Sequence, residues 1–174
     1  MTHRVRYNPH LHTSQTYQIM VEALALDPDK LPSFDLPTPD ADDLPPSFDP
    51  DAAEVAAVRE IVADAAGTAP PRLLRLNAHC SVLLPLRRWP EERYVELSRR
   101  LLNENDDLHI AFTGAPDEAP PVEALVERIG SDRCFSLAGR TTLRQLLVVY
   151  GLAEVLVTND SGPAHFASLT PVDV

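Results

Sequence analysis

The stretch VLVTNDSGPAH (residues 155–165) holds the residues whose types and spacing best suit anion binding. An apolar run ends there, and Ser161 is predicted to be the N-cap of the next helix, its hydroxyl accepting from the Ala164 amide. Gly162 would offer a free amide and allow close approach of a ligand. His165, one turn later, could donate to a phosphate oxygen. The helix dipole would add ~0.3–1 kcal/mol of preference for negative charge.

Asp160 lies within the same stretch and needs a different role. A carboxylate aimed at a phosphate would be repelled, so Asp160 is expected to accept hydrogen bonds from backbone amides or from ligand hydroxyls. The alternative is that residues 159–162 form only a capped turn and that His165 is a packed core histidine. The pattern alone leaves both readings open.

A basic pair, Arg87 and Arg88, precedes a helix that starts with Pro90. Guanidinium groups over the end of a strand would match phosphate oxygens in a bidentate manner. The alternative is a solvated basic pair neutralised by Glu91 and Glu92. Without context the two interpretations have equal weight.

Acidic residues follow the next strand in FTGAPDEAPP (112–121), where a turn at Gly114 delivers Asp117 and Glu118 to the same rim. A carboxylate there could accept from both hydroxyls of a ribose, although exposed loop acids commonly serve only solubility. Thr141 follows a further strand, and its loop could meet a base edge. Thr141 could also simply cap the helix that follows.

The sequence lacks the motifs of several other classes of enzyme. No G-x-G-x-x-G follows a strand and no G-x-x-x-x-G-K-[ST] is present, which argues against dinucleotide oxidoreductases and P-loop enzymes. Ser161 is flanked as D-S-G rather than G-x-S-x-G, which argues against a hydrolase triad. His10 and His12 could hold a metal, but no acidic or thiol partner has suitable spacing, so no metal is expected. No cofactor is expected either.

The elements that must position these residues alternate regularly after Pro71. Short apolar runs and helical segments follow one another with brief connections, which is typical of an α/β fold with a doubly wound parallel sheet. The predicted strands are residues 72–77, 108–114, 134–139 and 155–158, and the predicted helices are residues 90–105, 121–130, 141–153 and 161–169.

The N-terminal part of the chain has a different sequence pattern. Residues 13–26 read as one amphipathic helix, and residues 27–50 contain seven prolines among 24 residues, which predicts a linker or extended crossing. A second helix is expected to run from about Asp51 to Ala66. The organisation expected is residues 1–26 as the end of an N-terminal domain, 27–70 as Pro/Asp-rich linker and crossover helix, and 71–174 as a Rossmann-like domain.

A fifth strand would begin near Val172, where the sequence stops at residue 174. A buried strand needs four to eight residues, so the domain is expected to be truncated and the chain to be a fragment.

The charge and composition of the sequence exclude several kinds of partner and location. The net charge is −11, and residues 1–66 carry four basic and twelve acidic side chains, so −8 of it lies at the front. A phosphate backbone would repel such a chain, and nucleic-acid binding is not expected. Cys80 and Cys134 are expected to be isolated reduced thiols. No signal peptide and no membrane-spanning run is evident, so a soluble cytoplasmic protein is expected.

Taken together, four blocks in this order resemble the C-terminal half of the heptosyltransferase-like glycosyltransferases, family nine: LPLRRWPEERY, FTGAPDE, SLAGRTTLRQLL and VLVTNDSGPAHFASLTP. NDSGPAH is the most specific. The similarity spans roughly residues 72–174, and YNPHLHTSQTYQIMVEALAL resembles the end of the family's N-terminal domain.

The resemblance implies a GT-B architecture, in which two Rossmann-like domains face each other and the C-terminal one holds a nucleotide sugar. It further implies transfer of heptose from ADP-heptose to a lipopolysaccharide-type acceptor, lipid-linked or oligosaccharide, with inversion and without a metal. By motif, Arg87 or Arg88 would contact the diphosphate, and Asp117 or Glu118 the ribose. Thr141 would line the adenine, and Asp160, Ser161, Gly162 and His165 belong to the donor site.

The family's catalytic base is an aspartate of the N-terminal domain, and no residue before Tyr7 can fill that place. The isolated chain is therefore expected to be inactive or nearly so. Peripheral association of the complete enzyme with the inner membrane is left open. The alternatives are a sugar-nucleotide-binding module without catalysis and a GT-B enzyme using another nucleotide sugar.

Overall fold

Four parallel strands form the sheet in the computed structural model of the protein. They are β1 (Arg72–Asn77), β2 (Leu108–Phe112), β3 (Cys134–Ser136) and β4 (Val155–Thr158), and their spatial order is β3-β2-β1-β4. All neighbouring strands are parallel, as predicted. The predicted α/β fold, a Rossmann-like parallel sheet flanked by helices, is confirmed.

The structure describes residues 3–11, 13–30, 47–78 and 88–174. The chain divides into two compact units, Met1–Ser47 and Phe48–Val174. The first contains helix α1 (Thr13–Ala23) and a 3₁₀ turn at Pro28–Lys30. The predicted helix is confirmed, but Tyr17, Met20 and Val21 on it are exposed rather than buried on one face. Most of the proline-rich segment, together with Cys80 and Arg87, lies outside the described residues.

The helices of the second unit begin and end at the residues that their sequence chemistry favours. Asp51 accepts from the Glu54 amide at 2.8 Å, Glu54 accepts in return from the Asp51 amide at 3.0 Å, and Gly67 ends the helix. These helices are α2 (Ala52–Ala66), α3 (Glu91–Glu104), α4 (Ala119–Ile129), α5 (Leu143–Leu152) and α6 (Gly162–Ala167).

Two predicted helix starts were displaced. Helix α4 begins at Ala119, before the predicted residue 121, because prolines in the first turn have no amide that the helix would need. Helix α5 is capped by Thr142, whose hydroxyl accepts from the Gln145 amide at 3.2 Å. The reading of Thr141 as the cap is therefore wrong by one residue: only Thr142 stands three positions before a glutamine that completes a capping box.

Two apolar cores cover the two faces of the sheet. Alternate strand residues point to opposite faces, so that Leu76 and Ile110 face α3 and α4, whereas Leu73 and Ala111 face α2 and α5. Cys134 is buried in the first core, and burial raises the pKa of its thiol to about 12. Cys134 therefore packs as a small hydrophobic residue.

A single parallel bridge extends the sheet beyond β4. Asp173 pairs with Val155, and its carbonyl accepts from the Leu156 amide at 2.8 Å. The bridge lies on the outer side of β4, near the residue at which a further strand was predicted to begin; that strand stays a prediction.

Candidate functional site

The direction in which the chain crosses the sheet reverses between β1 and β4. The chain moves outward from β1 through β2 to β3, then returns to place β4 on the other side of β1. Asn77 and Thr158 end these two neighbouring strands in register. In open parallel sheets, ligands bind outside the carboxyl ends of the strands at such a switch point. The sheet topology therefore selects this edge as the candidate site.

Asn159 joins the two strand ends at this edge. Its side chain is 5% exposed, and its Nδ2 donates to the carbonyl of Ala78 at 3.1 Å. Its Oδ1 accepts from the Trp89 amide at 2.8 Å. One amide group thus holds both ends of the connection between β1 and α3, and it ties that connection to the end of β4.

An aromatic pair links this connection to α3. The Tyr94 hydroxyl donates to the Asn77 carbonyl at 3.2 Å, and its ring packs edge-to-face against Trp89 with centroids 4.9 Å apart. Tyr94 is buried, whereas Trp89 is 41% exposed. The rigid tyrosine therefore positions Trp89 at the surface beside the switch point.

The turn into α6 has the predicted backbone but different side-chain bonding. Ser161 is the N-cap residue in extended conformation, yet its hydroxyl donates to the Asn159 carbonyl at 3.2 Å. The predicted bond from the Ala164 amide to that hydroxyl is wrong, because this amide donates to the Ser161 carbonyl at 3.1 Å instead. Gly162, at the first helical position, has no acceptor within the helix for its amide.

His165 and Asp160 are both exposed at this end of the molecule. The reading of His165 as a packed core histidine is therefore wrong. An exposed imidazole beyond the end of β4 retains the ability to donate to a ligand. Asp160 is also engaged in an interaction within the protein.

Arg88 forms an ion pair with Glu91, and Glu91 also meets Arg128 at 3.3 Å. The neutralised basic pair that the sequence left open is thus the arrangement found for Arg88. A ligand that recruits the Arg88 guanidinium would have to compete with a carboxylate. The diphosphate contact of Arg87 or Arg88 stays a prediction, with Arg87 outside the described residues.

The acidic turn after β2 uses one of its two carboxylates internally. Glu118 Oε2 accepts from the Ala115 amide at 2.8 Å, which fixes the turn that follows Gly114. Asp117, in the 3₁₀ turn Pro116–Glu118, is exposed. Between the two candidates for the ribose hydroxyls, Asp117 has the carboxylate that is not committed to the turn backbone.

The loop after β3 packs directly on that acidic turn. The Gly139 amide donates to the Gly114 carbonyl at 3.1 Å, and Gly139 has a φ of 70°. A Cβ at Gly139 would come within 3.1 Å of Pro116 Cα. Thr141, two residues later, is half-buried and not part of α5. The loops that carry Asp117 and Thr141 are thereby held side by side.

Beneath the edge lies a buried polar cluster that the sequence analysis missed. Arg75, in the middle of β1, is fully buried and donates through Nη2 to Thr113 Oγ1 at 2.5 Å. Its guanidinium carbon lies 4.0 Å from the centroid of the Tyr150 ring. Asn77 Nδ2 donates to the Thr113 carbonyl at 3.0 Å. The one available signal was an arginine interrupting the apolar run RLLRLN.

Burial lowers the pKa of Arg75 to about 9, and the Tyr150 hydroxyl opposes this effect only in part. The same surroundings raise the pKa of Tyr150. Loss of hydration disfavours the charged form of each group, which accounts for both directions. At neutral pH Arg75 still carries its positive charge.

A separate groove of about 380 Å³ lies between α2 and α5. Its lining includes Val55, Gly151 and Pro171. Since α5 runs antiparallel to the strands, Gly151 near its end lies toward the amino edge of the sheet. The groove is therefore distinct from the candidate site at the carboxyl edge.

Within the described ranges, no group of three or more histidine, cysteine, aspartate or glutamate side chains is arranged to hold a metal ion. No helix in this part of the chain is both long and apolar enough to cross a bilayer.

Comparison with known sequences gives a family match over most of the chain. The sequence model of glycosyltransferase family 9 (heptosyltransferase) matches residues 12–170. Lipopolysaccharide heptosyltransferase 2 of Salmonella typhimurium is 35% identical over 86 residues, which are 48% of this chain and 24% of that protein.

Solved structures show the same fold. The ADP-heptose lipopolysaccharide heptosyltransferase II of E. coli superposes with a TM-score of 0.64 at 23% identity, covering 88% of this chain and 46% of that one. An E. coli heptosyltransferase solved with ADP gives a TM-score of 0.52 at 18% identity, covering 97% and 46%. The chain spans less than half the length of each of these relatives.

Proposed function

The chain belongs to glycosyltransferase family 9, and from that premise we propose that it carries the nucleotide-sugar-binding half of a heptosyltransferase. The complete enzyme would act in the assembly of the lipopolysaccharide core. The proposed donor is ADP-heptose, in keeping with two similar solved structures, one of an ADP-heptose lipopolysaccharide heptosyltransferase and one of a heptosyltransferase with ADP. The acceptor would be a lipid-linked or oligosaccharide core.

The observation that carries this proposal is the joined end of β1 and β4. Asn159 fixes the connection after β1 to the end of β4 at the switch point, where α/β folds bind nucleotides. The loops bearing Asp117 and Thr141 follow β2 and β3 at the same edge. All four strands thus present polar residues to one surface.

The donor is assigned to this edge by its chemistry. Gly162 would offer an amide to the diphosphate, and the exposed His165 would donate to a phosphate oxygen. Asp117 would accept from the ribose hydroxyls, and the loop of Thr141 would lie against the adenine. Arg87, or Arg88 released from Glu91, would neutralise phosphate charge.

In the proposed reaction, an acceptor hydroxyl attacks the anomeric carbon and inverts it, without a resident metal ion. The bond from that carbon to the β-phosphate oxygen breaks, and ADP leaves with the bonding electrons. A general base takes the hydroxyl proton. The role of the described residues is to stabilise the charge that develops on the departing diphosphate, because donors fixed in place need no reorganisation.

Calorimetric titration of the chain with ADP, UDP and GDP tests this proposal. We expect ADP to bind and the other two to bind more weakly. Preference for UDP would favour an enzyme that uses another nucleotide sugar, and binding of none would overturn the proposal. A transfer assay with ADP-heptose and core acceptor separates an active enzyme from a module that only binds.

A further inference from the structure

Arg75 is a buried cation that has no anionic partner among the residues that the structure describes. Its side chain is 0% exposed, and of its donors only Nη2 has a hydrogen-bond acceptor, the Thr113 hydroxyl. Nε and Nη1 are buried with no partner, as is the hydroxyl of Tyr150. No carboxylate pairs with this guanidinium in the described part of the chain.

Such an arrangement costs folding free energy. Buried charges are normally paired with an opposite charge, and the stacking of Arg75 on Tyr150 compensates for only part of the lost hydration. A long apolar side chain would fill the same space between sheet and helix without this penalty. The positive charge is therefore poorly explained by stability.

The position of Arg75 suggests what the charge acts on. Arg75 lies two residues before the end of β1, about 7 Å of strand from the candidate edge. Its acceptor Thr113 directly follows β2, and Asn77 binds the carbonyl of that same residue at 3.0 Å. The guanidinium thus lies just beneath the surface assigned to the diphosphate.

The surface above it is otherwise unfavourable for an anion. Asp117 and Asp160 are exposed at the same edge, and the Arg88 charge is offset by Glu91. The whole chain carries a net charge of −11. A fixed cation in the low-dielectric interior acts over a longer range than an exposed one, since water and salt screen it less.

Resting on the proposed function, we propose that Arg75 is an electrostatic positioning residue for the donor: its buried charge raises the affinity of the carboxyl edge for the diphosphate. It acts through the field and through Thr113, without touching the ligand. A diphosphate bound above it supplies the negative charge that the protein leaves out.

Titrations with ADP and with uncharged adenosine test this role in the complete chain. We expect Arg75→Met to weaken ADP about tenfold and adenosine less than about twofold. Arg75→Lys, which keeps the charge, should restore most of the ADP affinity. Arg72→Met is the matched control, because it removes a positive charge from the same strand at the opposite edge, and it should leave both affinities unchanged.

Thermal unfolding of the same variants separates this role from a purely structural one. We expect Arg75→Met to be as stable as the wild-type chain or more stable, so that ADP affinity falls without a loss of stability. Equal losses of affinity for ADP and for adenosine, together with a lower Tm, would overturn this inference and leave the proposed function in place. Failure of the wild-type chain to bind ADP would overturn the proposed function, and the inference with it.

Discussion

The side chain of Asn159 accepts a hydrogen bond from the Trp89 amide at 2.8 Å, across 70 positions of sequence. The same side chain donates to the Ala78 carbonyl at 3.1 Å. A backbone donor and a backbone acceptor, one at each end of a connection, are satisfied by one amide group. Asparagine suits this position because its amide presents both a donor and an acceptor.

Replacement of Asn159 by alanine should leave the Trp89 amide and the Ala78 carbonyl without this partner. We expect a loss of about 1–3 kcal/mol in the free energy of unfolding and weaker ADP binding, as measured by urea denaturation and calorimetry. Asn105→Ala is the control, because Asn105 bonds the Leu101 carbonyl at 3.0 Å at the far end of α3. Loss of ADP affinity in the control as well would show a nonspecific effect.

Gly162 tests the turn into α6. A Cβ there would lie 3.5 Å from Phe166 Cε2, an ordinary contact, and its φ is not in the left-handed region. Gly162→Val should therefore fold with a Tm near that of the wild-type chain, but lose ADP affinity by about tenfold or more because the side chain blocks phosphate approach. Gly151→Val, with nothing within 4 Å of its Cβ, provides the control in α5. Unchanged affinity in Gly162→Val would mean that the turn is only a helix start.

The ion pair between Glu154 and Arg72 predicts that the free energy of unfolding depends on pH. The hydrogen bonds of Glu154 with Arg72, at 2.9 Å through Nε and 2.9 Å through Nη2, hold the pKa of the carboxyl below its ordinary value. A lowered pKa in the folded state means that the stabilisation is present above this value and is lost as the pH falls through the folded-state pKa.

Urea midpoints at neutral and acidic pH check this dependence. We expect the wild-type midpoint to exceed that of Arg72→Met at pH 7 and the difference to shrink toward pH ~3. Arg100→Met breaks an exposed pair with Glu104 on α3 and should change little at either pH. A difference that grows on acidification would contradict the assignment.

Gly139 and Gly67 form a matched pair for backbone strain. Their φ angles are 70° and 71°, but only Gly139 faces a neighbour, Pro116 Cα, at 3.1 Å from an added Cβ. Gly67→Ala should cost about 1 kcal/mol through the left-handed backbone alone, and Gly139→Ala about 2 kcal/mol or more because the crowding adds to it. Chemical denaturation measures both losses in the free energy of unfolding. Equal losses would mean that the loops at Gly139 and Pro116 shift to accommodate the added Cβ at no energetic cost.

The sequence by itself determined the alternation of strands and helices and the edge at which polar residues gather. Apolar runs such as RLLRLN and VLVT gave strand positions, because burial on both faces of a parallel sheet demands continuous apolar residues. The glycines and capping residues gave the helix ends to within a few residues. The four motif blocks also led to the family that the comparison later established.

Only the tertiary structure decided how individual side chains are used. Ser161 could serve as a cap by sequence, but the fold directs its hydroxyl to the Asn159 carbonyl. Arg88 could equally reach a ligand or Glu91, and in the fold it pairs with Glu91, which also meets Arg128 of α4. Arg75 lies within an apolar run, and its burial beside Thr113 and Tyr150 depends on the pairing of β1 with β2. Local patterns encode backbone conformation and leave several hydrogen-bond partners possible for one side chain. Which partner is used depends on the surroundings that packing creates, even for near neighbours such as Ser161 and Asn159, and a pair such as Arg75 and Thr113 meets only when the sheet is assembled.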